Sequence, residues 1–208
     1  MSGIEPPELE ELRQGVRESL PEIRLISDEK LREQVVELHA RALAETPYRR
    51  IEAIPPSGVP EGPLMTRGTQ ADHYRGVATI AVGMARGLEQ VMGELAIDYD
   101  LLIAAALVHD VGKAYEYAGW ERWKQLRSRT GSPALRHPVY GAHLALQLAM
   151  PEPIVHCIAA HSYMGEGRFV EASVEATIVQ YADVSFWKIL DASGLLEAEI
   201  EITGVVKE

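Results

Sequence analysis

Five short stretches place ionisable side chains among small or apolar neighbours. They are QADHYRG around His73, LVHDVGK around His109, Asp110 and Lys113, LRHPVYGA around His137, IAAHSYMG around His161, and VQYADVSF around Asp183. Imidazole and carboxylate groups on core-facing positions are costly to bury unless each finds a partner. A divalent metal centre would satisfy all of them together. Histidine-plus-carboxylate ligation suits iron, manganese, cobalt, nickel or zinc. The set contains no cysteine, which argues against a structural zinc site.

The stretch LVHDVGK closes a run, Leu101 to Val108, that carries no polar side chain. Adjacent residues on a helix point about 100° apart, so His109 and Asp110 reach one ion only from the flank between them. Lys113 follows Asp110 by three positions and His109 by four, which puts it on the same face. Its ammonium there would meet an anion bound at the ion or, in the plainer reading, complement the helix dipole. Gly112 keeps that approach open or marks the helix end.

Helices must position these groups. Residues 8–20 and 28–45 are amphipathic, and Leu31, Val35, Leu38 and Ala42 form one apolar stripe. The Pro/Gly-rich segment 46–68 reads as loop. Thr69 is the expected cap of a helix over 70–92, and Asp98 or Asp100 caps a further one reaching about residue 113. Pro138 suits the first turn of the next helix, Pro151 and Pro153 begin another ending near His161, and 171–190 is the last. The tail from Leu196 alternates apolar and polar residues, as strand or frayed coil. Strand signals are too sparse for a sheet, so the fold class is all-α. The expected division is 1–68 for N-terminal helices and loop, 69–192 for a metal-binding helical domain, and 193–208 for a C-terminal tail.

The ordered series His73, His109-Asp110, His137, His161, Asp183 resembles the HD superfamily of metal-dependent phosphohydrolases. HDVGK is similar to the HDIG form of its central motif, and RHPVYGAHLA to a segment reading His-Pro-x-x-Gly-Ala in many members. CIAAHS and YADVS resemble the last two ligand segments, so the likeness spans roughly 70 to 190. The resemblance implies an HD-domain-like helical bundle with an irregular N-terminal helical extension. It implies a first ion held by His73, His109, Asp110 and Asp183, and a second by Asp110, His137 and His161. Two divalent ions, of Fe, Mn, Co, Ni or Zn, are therefore expected. Such ions sit about 3.5–4 Å apart, bridge and activate a water, and clamp phosphate oxygens for in-line attack. Asp110 and Lys113 would be the catalytic residues, with Lys113 offsetting charge on the phosphate. The expected activity is phosphomonoester or phosphodiester hydrolysis on a nucleotide-like small molecule.

Three departures narrow this. Ser162 stands where many HD-GYP phosphodiesterases carry a second histidine, Thr69 where they carry a glutamate four residues before the first histidine, and their Gly-Tyr-Pro signature is absent. A third ion and cyclic-dinucleotide hydrolysis are thereby disfavoured. Some members use the same ligands in a di-iron centre that oxidises a substrate with O₂, and a non-catalytic metal- or ligand-binding module is a third reading. Oxygen uptake and ester turnover separate the three.

Neighbouring residues have plainer roles. His143 lies six positions after His137 and His156 five before His161, off the shared face, so both read as supporting or surface residues. His39, in a charged helix, reads as solvated, and Cys157 as a small buried apolar side chain. Arg75 and Arg136 are weaker substrate-contact candidates, and Trp120, Trp123 and Trp187 read as core or pocket wall.

The net charge of −11 disfavours nucleic acid as a partner but allows a small anionic, phosphate-containing substrate held by local cations or metal. One cysteine excludes an intramolecular disulfide. The N-terminus has no apolar signal core, and Leu101 to Val108 is too short to span a bilayer, so a cytoplasmic protein without a membrane partner is expected. A homodimer is compatible with the sequence.

Overall fold

The computed structural model describes residues 6–58, 62–119, 135–162 and 173–197. These build an all-α fold, with no strand or sheet among the described residues. The N-terminal part is a helical pair, α1 (Pro6–Ser19) and α2 (Glu29–Ala44), joined by a 3₁₀ turn over Pro21–Leu25. Asp28 caps α2 by accepting from the Leu31 amide, and the stripe Leu31, Val35, Leu38 and Ala42 is buried. Helix α3 (Gln70–Met92) opens on a reciprocal capping box between Thr69 and Asp72.

From Leu101 on, helix α4 (Tyr99–Val108) is apolar on every side, and a helix of that kind has to be surrounded. Leu102 to Val108 are all buried, and α4 packs against α2, α3 and the last two helices. Asp98 caps it, donor Leu101 N lying 3.0 Å away. Asp100 instead accepts from Ser27 N, Ser27 Oγ and Asp28 N at 2.8, 2.5 and 2.8 Å, fastening the N-terminal pair to the start of α4.

The helix expected to run to about residue 113 ends earlier. Helix α4 stops at Val108, a tight turn covers 109–112, and α5 (Lys113–Ala118) starts afresh. The reason is the approach of α6 (His137–Gln147). A Cβ at Gly112 would lie 2.0 Å from the His137 carbonyl oxygen, so two backbones touch here and the chain turns to receive the contact. Pro138 sits in the first turn of α6, as expected. Helices α7 (Glu152–Ala160) and α8 (Val174–Ala192, capped by Ser173) complete the order.

The segment 46–68 is more structured than a plain loop. It holds a 3₁₀ turn over Ile51–Ala53, buries Ile51 and Ile54, and pairs Ser57 with Leu64. Leu196 pairs with Met65, while tail residues 198–208, Trp120 and Trp123 lie outside the described residues. No described helix is long and apolar enough to cross a membrane.

His39 corrects its expectation. It is buried, its Nε2 donates to the Leu107 carbonyl oxygen at 2.8 Å, and its ring meets Tyr74 edge-on at 5.1 Å. Burial pushes its pKa down to about 4, against about 6.5 in an unfolded chain. The unfolded state therefore takes up the proton first. This contribution to stability is complete above pH 6.5, falls as the pH drops toward 4, and totals on the order of 3 kcal/mol. Replacing His39→Gln retains a donor for Leu107 and removes the titration. Urea unfolding at pH 7, 5.5 and 4 should show a flatter pH dependence for the variant than for the wild type. Parallel profiles would contradict it.

Candidate metal centre

All six expected ligand residues converge. His73 comes from the first turn of α3, His109 from the C-cap of α4, Asp110 from the following turn, and His137 from the first position of α6. His161 caps the end of α7, and Asp183 comes from the middle of α8. Glycine makes one of these approaches possible. A Cβ at Gly76 would stand 2.5 Å from the Phe186 ring. One turn before each of these residues lie His73 and Asp183, so the close α3–α8 contact brings that pair together.

Asp110 is the centre of the arrangement. Its Oδ2 lies 3.0 Å from His73 Nε2 and 3.4 Å from His109 Nε2. Its Oδ1 lies 3.0 Å from His137 Nε2 and 3.4 Å from His161 Nε2. Asp183 Oδ1 joins the first pair, 3.4 Å from His73 Nε2 and 3.8 Å from His109 Nε2. Within 4.8 Å of one another lie the donor atoms of two sets, His73-His109-Asp110-Asp183 and Asp110-His137-His161.

The outer ring nitrogens fix which inner nitrogens carry lone pairs. His109 Nδ1 donates to Ala106 O at 2.8 Å and His161 Nδ1 to Ile158 O at 2.7 Å. Both acceptors belong to the last turn of a helix, where carbonyls lack an intrahelical partner. His137 Nδ1 donates to Glu116 Oε2 at 2.8 Å. With those protons on Nδ1, each Nε2 presents a lone pair inward. His73 Nε2 lies 3.2 Å from His109 Nε2, and His137 and His161 hold their inward Nε2 lone pairs 3.2 Å apart. Facing lone pairs at that distance repel unless a cation shares them. Asp183 Oδ1 adds a buried oxygen with no hydrogen-bond donor among the described residues. The donor set thus fits divalent metal.

The local field agrees. Burial would raise the Asp110 carboxyl, but Lys113, His109 and His137 outweigh it and hold it well below the usual carboxylate range. Burial opposes charge on His109 and His137, yet Asp110 and its neighbours push both upward. Burial takes His73 down to about 4 and also lowers His161.

Lys113 is buried, with Nζ 2.7 Å from Asp110 Oδ2 and 2.8 Å from the Ser57 carbonyl oxygen. Burial works against its ammonium, and Asp110 more than compensates. Lys113 thus meets Asp110 itself, across a turn and not along one helix. Tyr117 also donates to Ser57 O, at 3.1 Å. Segment 55–58 is thereby strapped over the centre. The Trp187 ring lies tilted against the His73 ring, centroids 4.9 Å apart, and 5.5 Å from Lys113 Nζ, forming a wall.

Other candidates fall outside the cluster. His143 is exposed, and His156 is half-buried and accepts from Ser173 N at 3.1 Å. Arg75 pairs with Glu22 at 2.9 Å and Arg136 with Glu116. Cys157 is buried, as expected. Sequence reasoning missed Glu116. Its side chain is fully buried between His137 and Arg136, and those partners overcome burial to lower its pKa.

The comparisons with known proteins follow this geometry. The HD domain family model matches residues 71–185, a span that contains all six ligand-type residues. A dihydroneopterin 2',3'-cyclic phosphate phosphodiesterase of Methanocaldococcus jannaschii is 30% identical over 180 residues, covering 81% of this chain and 67% of the relative. No solved structure matches the chain. With more than half of its length matched to one family model and a divalent-metal donor set at the centre of that span, the chain belongs to the HD-domain family and is a metal-dependent phosphohydrolase.

Proposed function

We propose that the centre holds two divalent ions. His73, His109, Asp110 and Asp183 would bind the first, and Asp110, His137 and His161 the second. The observation that carries this is the division of Asp110: one oxygen faces each histidine pair. Bound there, the ions would supply Lewis acidity, lowering the pKa of a water and neutralising phosphate oxygens.

The chain's own residues do the rest. Asp110, held ionised, keeps both histidine pairs turned inward. Lys113 keeps Asp110 ionised and adds a positive charge beside it. An ammonium has three donors; Asp110 and Ser57 take two, and we assign the third to a phosphate oxygen. Of the six ligand residues, five have side chains at most 5% exposed, whereas that of Asp183 is 19% exposed. We place the entry of substrate and water on its side.

The substrate we assign is a small, nucleotide-like cyclic phosphodiester. The support is the relative from Methanocaldococcus jannaschii, whose name states a 2',3'-cyclic phosphate ester. Hydrolysis adds water across one P–O bond, leaving a phosphomonoester and a freed hydroxyl. A panel of 2',3'-cyclic nucleotides, linear diesters and monoesters, assayed with Mn²⁺, Co²⁺, Ni²⁺, Zn²⁺ or Fe²⁺, tests the assignment. Turnover of the cyclic diesters that stops on chelation is expected. Turnover of monoesters alone would overturn the diester assignment.

A further inference from the structure

We propose that Glu116 is a positioning residue for the second metal site, one that decides whether that ion is retained. This rests on the two-ion reading above. The two sites are unequal in charge. Among the described residues, the first set holds two carboxylates, Asp110 and Asp183, whereas the second has only its share of Asp110 with His137 and His161. Two neutral imidazoles and a shared oxygen are a weak anionic complement for a dication.

Glu116 makes up the difference one bond further out. Its Oε2 accepts from His137 Nδ1 at 2.8 Å, while His137 Nε2 faces Asp110 Oδ1 at 3.0 Å and His161 Nε2 at 3.2 Å. A carboxylate behind a ligating histidine fixes its ring and makes its inner nitrogen a stronger donor. Among the described ligand histidines, this backing is given to His137 alone. His109 and His161 donate to main-chain carbonyls, and His73 Nδ1 is buried without a hydrogen-bond partner.

The setting keeps the device intact. Glu116 has no exposed side-chain surface, and its other oxygen, Oε1, is taken by Arg136 Nε. Arg136 holds Glu116 ionised and turned toward His137. The arrangement joins α5 to the N-terminus of α6 just where Gly112 lets the two backbones touch. A bare counter-ion for Arg136 would not need its second oxygen on the imidazole.

The test is an anaerobic Co²⁺ titration of the full chain, read by visible absorption and by equilibrium dialysis. The proteins are wild type, Glu116→Gln, Glu116→Asp and His161→Ala. Glu116→Gln keeps the shape but removes the charge, and Glu116→Asp keeps the charge but shortens the reach to His137. Both should weaken the second ion by roughly 10–100-fold and leave the first unchanged. Loss of structure would weaken both ions, because Asp110 serves both, so first-ion affinity is the internal control. Wild-type affinity for the second ion in both Glu116 variants, with His161→Ala losing it, overturns this inference and leaves the two-ion reading standing. One ion in the wild type overturns both.

Discussion

The Asp110→Asn protein is expected to lose both metal ions and essentially all turnover. An asparagine keeps the shape, but it turns an N–H₂ group toward one of the two histidine pairs and carries no charge toward the other. Asp110 is the point of division, with His73 and His109 at one oxygen and His137 and His161 at the other. With the ions would go their Lewis acidity and the activation of water, so the rate should fall by on the order of 10³-fold or more. A second effect follows from Lys113. Its buried ammonium is 2.7 Å from Asp110 and would lose that counter-charge. Stranding a buried charge destabilises by roughly 3–5 kcal/mol. The double variant Asp110→Asn, Lys113→Met removes the stranded charge. It should recover part of the stability and none of the activity. Activity assays, metal analysis and urea unfolding on the three proteins check this. An Asp110→Asn protein that keeps both ions would contradict it.

Gly112→Ala should produce the largest loss of stability from adding a single methyl group. The new Cβ would lie 2.0 Å from His137 O, 2.7 Å from Gly141 N and 2.9 Å from His137 C. All three are main-chain atoms, so no rotamer change relieves the overlap. The α5–α6 contact must open. Overpacking of this kind costs about 3 kcal/mol or more when backbone has to shift. For a chain of this size that corresponds to a melting temperature lower by roughly 6–12 °C. Because His137 is the residue displaced, the second ion should be released before the first as metal is withdrawn. A melting temperature close to wild type would show that the two backbones stand further apart than described.

The ligand-type residues were legible in the sequence because each breaks a pattern. His109 and Asp110 end an apolar run, and His73, His137, His161 and Asp183 sit among small and apolar neighbours, where an unpartnered polar group is costly. The helices were legible for a related reason. Thr69, Asp98, Pro138 and Pro151 all lie at helix starts, and caps act locally.

What escaped was decided by contacts distant in sequence. Glu116 lies in KAYEYA, where nothing in the sequence marks it as buried. Its burial depends on His137 and Arg136, some twenty residues later. His39 sits in a helix full of charge, and only the packing of α4 against α2 brings Leu107 O to it. The end of α4 escaped because glycine at a helix end and glycine at a backbone contact look alike in sequence. The distinction lies in α6, which packs against Gly112. Segment 46–68 carried loop composition, yet Ser57 becomes the acceptor for Lys113 and Tyr117, a role set by its main-chain carbonyl, not its side chain.

The measurement that tests the central claim most directly is the metal-to-protein ratio of the full chain, purified anaerobically and analysed by elemental mass spectrometry. Two ions per chain, falling to one in His161→Ala, is the result predicted by the division of Asp110 between two histidine pairs. One ion in the wild type, undiminished in His161→Ala, would contradict it and leave His137 and His161 as pocket residues beside a single-ion centre.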